Sequence, residues 1–219
     1  MTTPHAVYRP VRVEATPEAP LSQWLWLVKW LLVIPHCVVL FFLWTAFFLV
    51  GVVAFFAILF TERYPRALFD FNLGVLRWTW RVSYYAYGAL GTDRYPPFSL
   101  GEVPDYPARL DIVFPQRLSR GLVLVKWWLL ALPHYVVTGF FMGSFQSVWW
   151  SGGLIFVLVV IAAVALTFTG TYPRDLYDLV MGLNRWVLRV CAYASLMTDD
   201  YPPFRLDMGA AEPDGGHQP

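Results

Sequence analysis

The chain has 219 residues, of which 58% are hydrophobic, 18% aromatic and only 14% charged, with a net charge of +1. Soluble domains carry about 25% charged residues, so this composition points to a membrane, and the near-zero net charge excludes a basic field suited to nucleic acid. Two cysteines, Cys37 and Cys191, sit in apolar surroundings, which excludes a disulfide framework and a cysteine-clustered metal site.

Residues 1–20 are polar and proline-bearing, and they lack the basic, apolar and small-residue succession of a signal peptide. Within them Val11-Arg12-Val13-Glu14 alternates as a half-exposed strand does. The first apolar segment runs from about Leu21 to Thr61, and no Asp, Glu, Lys or Arg occurs in the 32 residues between Lys29 and Glu62. As one helix it would be ~60 Å long, twice the ~30 Å hydrocarbon core. It is therefore either a helical hairpin or an interfacial helix to Pro35 followed by one span.

A third helix is predicted at about 66–90, opened by Tyr64-Pro65-Arg66, because proline suits a helix start. Asp70, Gly74, Arg77, Arg81 and Tyr85 form one stripe on it, opposite Phe69, Leu73, Leu76, Trp80 and Tyr87. Arginines on one face and aromatics on the other predict an amphipathic helix lying in the membrane interface. The rigid Tyr95-Pro96-Pro97-Phe98 follows.

The pattern then recurs. Val28-Lys29-Trp30 returns as Val125-Lys126-Trp127, Pro35-His36 as Pro133-His134, Tyr64-Pro65-Arg66 as Tyr172-Pro173-Arg174, and Tyr95-Pro96-Pro97-Phe98 as Tyr201-Pro202-Pro203-Phe204. The stripe recurs as Asp178, Gly182, Arg185, Arg189 and Tyr193, and the strand as Ala108–Ile112. So long a period means a duplicated module and not a solenoid. The expected units are residues 5–103, residues 104–207 and a disordered tail at 208–219. In the second half 47 residues without Asp, Glu, Lys or Arg separate Lys126 from Arg174, and they contain Gly143, Ser144, Ser147, Ser151, Gly152 and Gly153. A loop there makes two spans, and internal similarity then predicts two in the first half, turning near Thr45 or Ala46.

The expected fold is thus an all-α integral membrane protein. Two pseudo-symmetric helical hairpins supply four transmembrane helices, each hairpin is followed by an amphipathic interfacial helix, and short strands lie on the cytoplasmic side. That topology puts all 16 Lys and Arg residues on one face, with both termini cytoplasmic in the cell membrane.

The motifs Val-Lys-Trp…Pro-His, Thr-x-x-Tyr-Pro-Arg, Asp…Gly…Arg-Trp…Arg and Thr-Asp-x-Tyr-Pro-Pro-Phe resemble the DUF4389 family, a family of bacterial membrane modules without an assigned function. The resemblance covers both halves, implies a bacterial plasma membrane, and supplies no catalytic residues. Arg94 opposite Asp200, and Ala67 opposite Asp175, depart from tidy duplication.

Four sets of residues are candidates for chemistry. His36 and His134 follow prolines in apolar runs; two imidazoles meeting on a pseudo-two-fold axis could ligate haem or a metal, line a proton or ion path, or satisfy a carbonyl freed by the proline. Arg77, Arg81, Arg185 and Arg189 could hold anionic lipid headgroups or a small anion, or be neutralised by Asp70 and Asp178. Lys29 and Lys126 either snorkel or pair with Asp70 and Asp178 to dock the third helix. The Tyr-Pro-Pro-Phe segments either pack under that helix or face a partner. No Walker loop, nucleophile elbow or HExxH motif occurs, so the expectation is a non-enzymatic scaffold or accessory subunit of a membrane complex, bound to the bilayer and not to nucleic acid. A small transporter or ion-conducting protein, and a haem- or metal-bearing redox protein, are the alternatives.

Overall fold

A computed structural model describes residues 10–143 and 153–209. The elements in order are β1 (Val11–Ala15), α1 (Trp26–Leu32), α2 (Ile34–Thr61), α3 (Arg66–Tyr85), β2 (Ala108–Ile112), α4 (Arg120–Val125), α5 (Leu132–Met142), α6 (Leu154–Thr169) and α7 (Arg174–Ala194). A π-helical turn, Lys126–Leu130, joins α4 to α5. The protein is mostly helical, with a two-stranded sheet. One described helix, α2, is long and apolar enough to cross a membrane; the pair Arg120–Leu130 and Leu132–Met142, bent by 44°, makes a second if counted as one span.

The predicted hairpin in the first half is absent. α2 continues through Thr45, whose hydroxyl donates to the Phe41 carbonyl at 2.9 Å as a helical side chain does. Gly51 is carried inside the helix without breaking it, and Pro35 sits at its first turn where its missing N–H costs nothing. α2 ends at Glu62, which adopts a left-handed φ of 60°. Its carbonyl accepts from Leu118 N and its carboxylate meets Arg120 at 3.1 Å, contacts that offset the backbone strain.

The second half repeats α2 with an interruption. His36, Leu40, Phe47, Ala54 and Ile58 are the buried positions of α2. Their counterparts are His134 and Thr138 in α5, and Ile155, Ala162 and Leu166 in α6, all buried. The first two pairs are 98 residues apart in sequence and the last three 108 apart, so ten residues have been inserted between α5 and α6. A Cβ on Gly153 would lie 2.2 Å from the Phe141 carbonyl, so α6 begins where α5 stops. The four predicted spans reduce to two equivalent rods, one unbroken and one interrupted. Most of the predicted loop, residues 144–152, and the tail from 210 onward lie outside the described residues.

The third helices are the second correction. They begin at the prolines as expected, with Pro65 and Pro173 as N-caps. They are not outer interfacial helices: α3 buries Phe69, Leu73, Leu76 and Trp80 on one side and Gly74, Arg81 and Tyr85 on the other. Beyond each helix end the chain passes through a buried leucine in the left-handed region, Leu90 (φ 51°) and Leu196 (φ 66°).

The halves interlock. β1 and β2 pair antiparallel, with Val13 opposite Leu110 at the centre, and each shows the same buried–exposed alternation. β2 packs on α3, while β1 packs on α7. Arg120 of α4 donates to the Phe60 carbonyl near the end of α2. Reciprocally, Trp26 of α1 donates to Thr167 near the end of α6, whose hydroxyl reaches the Gln23 carbonyl. The strand pairing is centred on Val13 and Leu110, which are equivalent positions of the two halves.

Candidate functional site

Each half encloses its histidine in its own aromatic cage. Trp78 Nε1 donates to His36 Nδ1 at 3.0 Å; Phe98 stacks on the ring at 4.0 Å and Tyr95 lies at 4.9 Å. In the second half Trp186 donates to His134 Nδ1 at 3.1 Å, with Phe204 at 4.2 Å and Tyr201 at 4.8 Å. The Tyr-Pro-Pro-Phe segment thus folds back from the third helix to cover the histidine of its own half. Both Nε2 atoms are buried without a partner.

This geometry fixes the chemistry of the rings. A nitrogen that accepts an indole N–H carries no proton, so the neutral ring holds its proton on Nε2. Metal-ligating histidines do the reverse: the second nitrogen donates its proton and leaves the first with a free lone pair. The two rings do not fit iron or another metal, and among the described residues no group of three or more His, Cys, Asp or Glu could hold an ion.

Lys29 and Lys126 are wholly buried. Their partners are not Asp70 and Asp178. Lys29 Nζ donates to the Thr92 carbonyl at 2.6 Å, meets Asp93 at 2.9 Å, and lies 4.6 Å from the centre of the Tyr85 ring. Lys126 meets the Thr198 carbonyl at 2.9 Å, Asp199 at 2.7 Å and the Tyr193 ring at 5.6 Å. Asp70 instead pairs with Arg66 at 3.1 Å on the surface, and Asp178 is half-buried on α7. The Thr-Asp step that follows each third helix is therefore the lysine's receptor. Its recurrence in both copies was visible in the sequence; its partner was not.

The arginine stripe is turned inward. Arg77 donates to the Leu110 carbonyl at 2.9 Å and meets Asp111 at 2.8 Å; Arg81 donates to the carbonyls of Ser99 and Gly101. In the second half Arg185 donates to the carbonyls of Val13 and Asp207, and Arg189 pairs with the Asp207 carboxylate at 2.7 Å. Gly74 is required because a Cβ there would lie 2.9 Å from Leu100. Around this stripe the halves differ in their acid. Asp207, the last residue of the second predicted unit, is buried against Arg189, and its counterpart in the first half is Gly101. There a cavity of about 190 Å³ opens, lined by Arg12, Arg77, Arg81, Arg109, Glu14 and Glu102.

Tyrosines tie the layers together. Tyr84 and Tyr177 meet hydroxyl to hydroxyl at 2.8 Å, and both reach β1 or its end through the carbonyls of Thr16 and Ala15. Burial pushes the Tyr177 and Tyr64 hydroxyls up to about 12, and raises those of Tyr84, Tyr106 and Tyr172 further.

Two interlocked copies of one helical module, each with a caged histidine and a clamped lysine, define a tandem-duplicated module of membrane-type composition. The chain belongs to the DUF4389 family, a domain of unknown function, whose model matches residues 23–99 and 124–205. No curated protein and no solved structure matches it.

Proposed function

We propose that this protein is a membrane-bound, non-enzymatic accessory subunit or scaffold. One observation carries the membrane part. The most apolar window of α2 is only 17% buried. A core helix of a soluble protein would bury most of such a surface, and monomers rarely expose an apolar patch beyond a few hundred Å². Phe41, Phe42, Phe48, Leu49, Val52, Phe56 and Phe60 all stand outward, and Trp127, Trp128, Val136, Phe140, Ile161 and Phe168 do so in the second half. The arginines gathered on the sheet side, Arg12, Arg77, Arg81 and Arg109, favour a cytoplasmic location for that face, with both described ends there.

The scaffold part rests on how the recurrent polar residues are used. Lys29, Lys126, His36 and His134 are engaged within their own modules, while Arg77 and Arg185 hold the strand of the other module, which suits a rigid platform. The test is gentle detergent purification with an absorption spectrum and mass spectrometry of what copurifies. A colourless protein with a partner at fixed stoichiometry is expected. A solitary protein would sink the accessory-subunit reading, and a Soret band lost in His36→Ala/His134→Ala would replace it with a redox protein.

A second reading has its own observation, the contrast between Gly101 and Asp207. Arg189 has a carboxylate from its own chain, whereas Arg81 has only carbonyls and an unpartnered Nε. A small carboxylate or phosphate in the cavity would play for Arg81 the part of Asp207. The Gly101→Asp variant tests this, since a Cβ there meets nothing closer than Ser99 Oγ at 3.4 Å. Wild-type protein should gain thermal stability in millimolar phosphate, and Gly101→Asp should abolish that gain. An equal phosphate response in both would refute it.

A further inference from the structure

We infer that α2 and the α5–α6 rod do not cross the bilayer but lie flat in one leaflet, with the sheet as the water-facing pole. The inference rests on the membrane reading above and specifies its geometry.

The argument starts from the faces of α3. At 100° per residue, Trp78 and Thr79, which bond His36 and Trp44 of α2, point about 100–160° away from Arg77 and Tyr84, which bond Leu110 and Thr16 at the sheet. α3 therefore lies between α2 and the sheet. In the second half Trp186 faces α5, while Arg185 and Tyr177 reach the carbonyls of Val13 and Ala15. The layers run sheet, third helices, rods.

The rods show the same polarity. His36, Leu40, Phe47, Ala54 and Ile58 make one narrow stripe on α2 against α3. Phe41, Phe48, Val52 and Phe56 lie on the opposite side, along the whole length of the helix. The apolar face of the molecule and the charged face of the sheet are thus opposite poles, side by side with the axis of α2 and not at its ends.

An upright α2 conflicts with this. It is ~42 Å long, so its middle would sit at the bilayer centre. The Trp44–Thr79 bond sets Arg77 level with that middle, and Arg77 holds Asp111 on the sheet. Arg12, Glu14, Arg109 and Asp111 are exposed on the sheet's outer face. An upright α2 would carry these charges, and an open two-stranded sheet, into hydrocarbon. Each charge costs ~2.5–3.5 kcal/mol at the centre of a span, and open sheet edges do not occur in lipid. A flat rod removes both conflicts: the phenylalanine face enters one leaflet by ~5–10 Å, and the sheet stays in water. Trp24, Trp30, Trp127 and Trp128, all exposed on or beside α1 and the π-helical turn, are then placed at the headgroup level where indoles prefer to be.

The test uses the full chain in phosphatidylcholine–phosphatidylglycerol vesicles. Single cysteines replace Phe41, Phe48 and Phe56 in a Cys37→Ser/Cys191→Ala background and carry an environment-sensitive fluorophore, quenched by lipids with a nitroxide at a shallow or a deep acyl position. These sites span ~22 Å along the helix. A flat rod gives one shallow-over-deep quenching ratio at all three. A ratio that drops at residue 48 overturns the inference while keeping the membrane reading. No quenching by either lipid overturns the membrane reading itself. As a second measurement, an impermeant maleimide should reach Ser22→Cys and Arg63→Cys, beyond the two ends of α1–α2, from the same side of sealed vesicles; labelling from opposite sides would refute the flat rod.

Discussion

Removing Asp93 should harm this protein more than removing the lysine it serves. In the Asp93→Asn variant the Lys29 ammonium, 1% exposed, keeps the Thr92 carbonyl and the Tyr85 ring but loses its counter-charge. Breaking a buried pair from one side costs about 3–5 kcal/mol; with the Asp93 side chain 27% exposed, water relieves part of this and about 2–3 kcal/mol remains. In Lys29→Met the charge is gone. Asp93 still accepts from Ser22 N and can rehydrate, so the main loss is the donor to the Thr92 carbonyl, about 1–2 kcal/mol. The double variant Lys29→Met/Asp93→Asn should fall close to Lys29→Met alone. Thermal unfolding in detergent reads this order, at ~2–4 °C per kcal/mol for a chain of this size. If Asp93→Asn is no worse than Lys29→Met, the lysine is not an uncompensated buried charge and the clamp has been misjudged. The same order is expected for Asp199→Asn against Lys126→Met.

Two further outcomes follow from packing and ionisation. Gly74→Ala should destabilise by ~1–3 kcal/mol, seen as a lower unfolding temperature, because its methyl would press on both Cβ and the carbonyl of Leu100. Stability should also fall steeply in alkali. Tyr64 and Tyr177 titrate near 12 when folded and about 10 when unfolded, so the stabilisation from keeping them neutral is complete below pH 10 and is lost as pH rises from 10 to 12. Tyr64→Phe/Tyr177→Phe should flatten that decline in a pH series of unfolding midpoints, and an unchanged slope would show that other groups cause it.

The local elements were legible because their causes are local. Alternation at Val11–Glu14 and Ala108–Ile112 gave both strands, the Tyr-Pro-Arg steps set the starts of both third helices, and recurrence exposed the duplication. Membrane-type composition and the long uncharged runs likewise marked the two rods. What failed was the judgement of what covers the polar side of the third helices and which acids meet the lysines. A polar stripe with Gly74, Arg77 and Arg81 has the same periodicity whether it meets headgroups, water or backbone carbonyls, and only the fold-back of Ser99–Gly101 and the approach of β2 decided for carbonyls. The lysine partners were missed because Lys29 and Asp93 are far apart in sequence, and the nearer-looking Asp70 already had Arg66 on its own helix. The hairpin was inferred from ten inserted residues that interrupt one rod and leave its twin continuous. Sequence by itself determined the modules, their elements and their apolar runs, since these depend on backbone preference and hydropathy. Tertiary structure alone decided which charges are neutralised internally and which side of each third helix meets the sheet, since both depend on contacts between segments that the chain brings together only on folding.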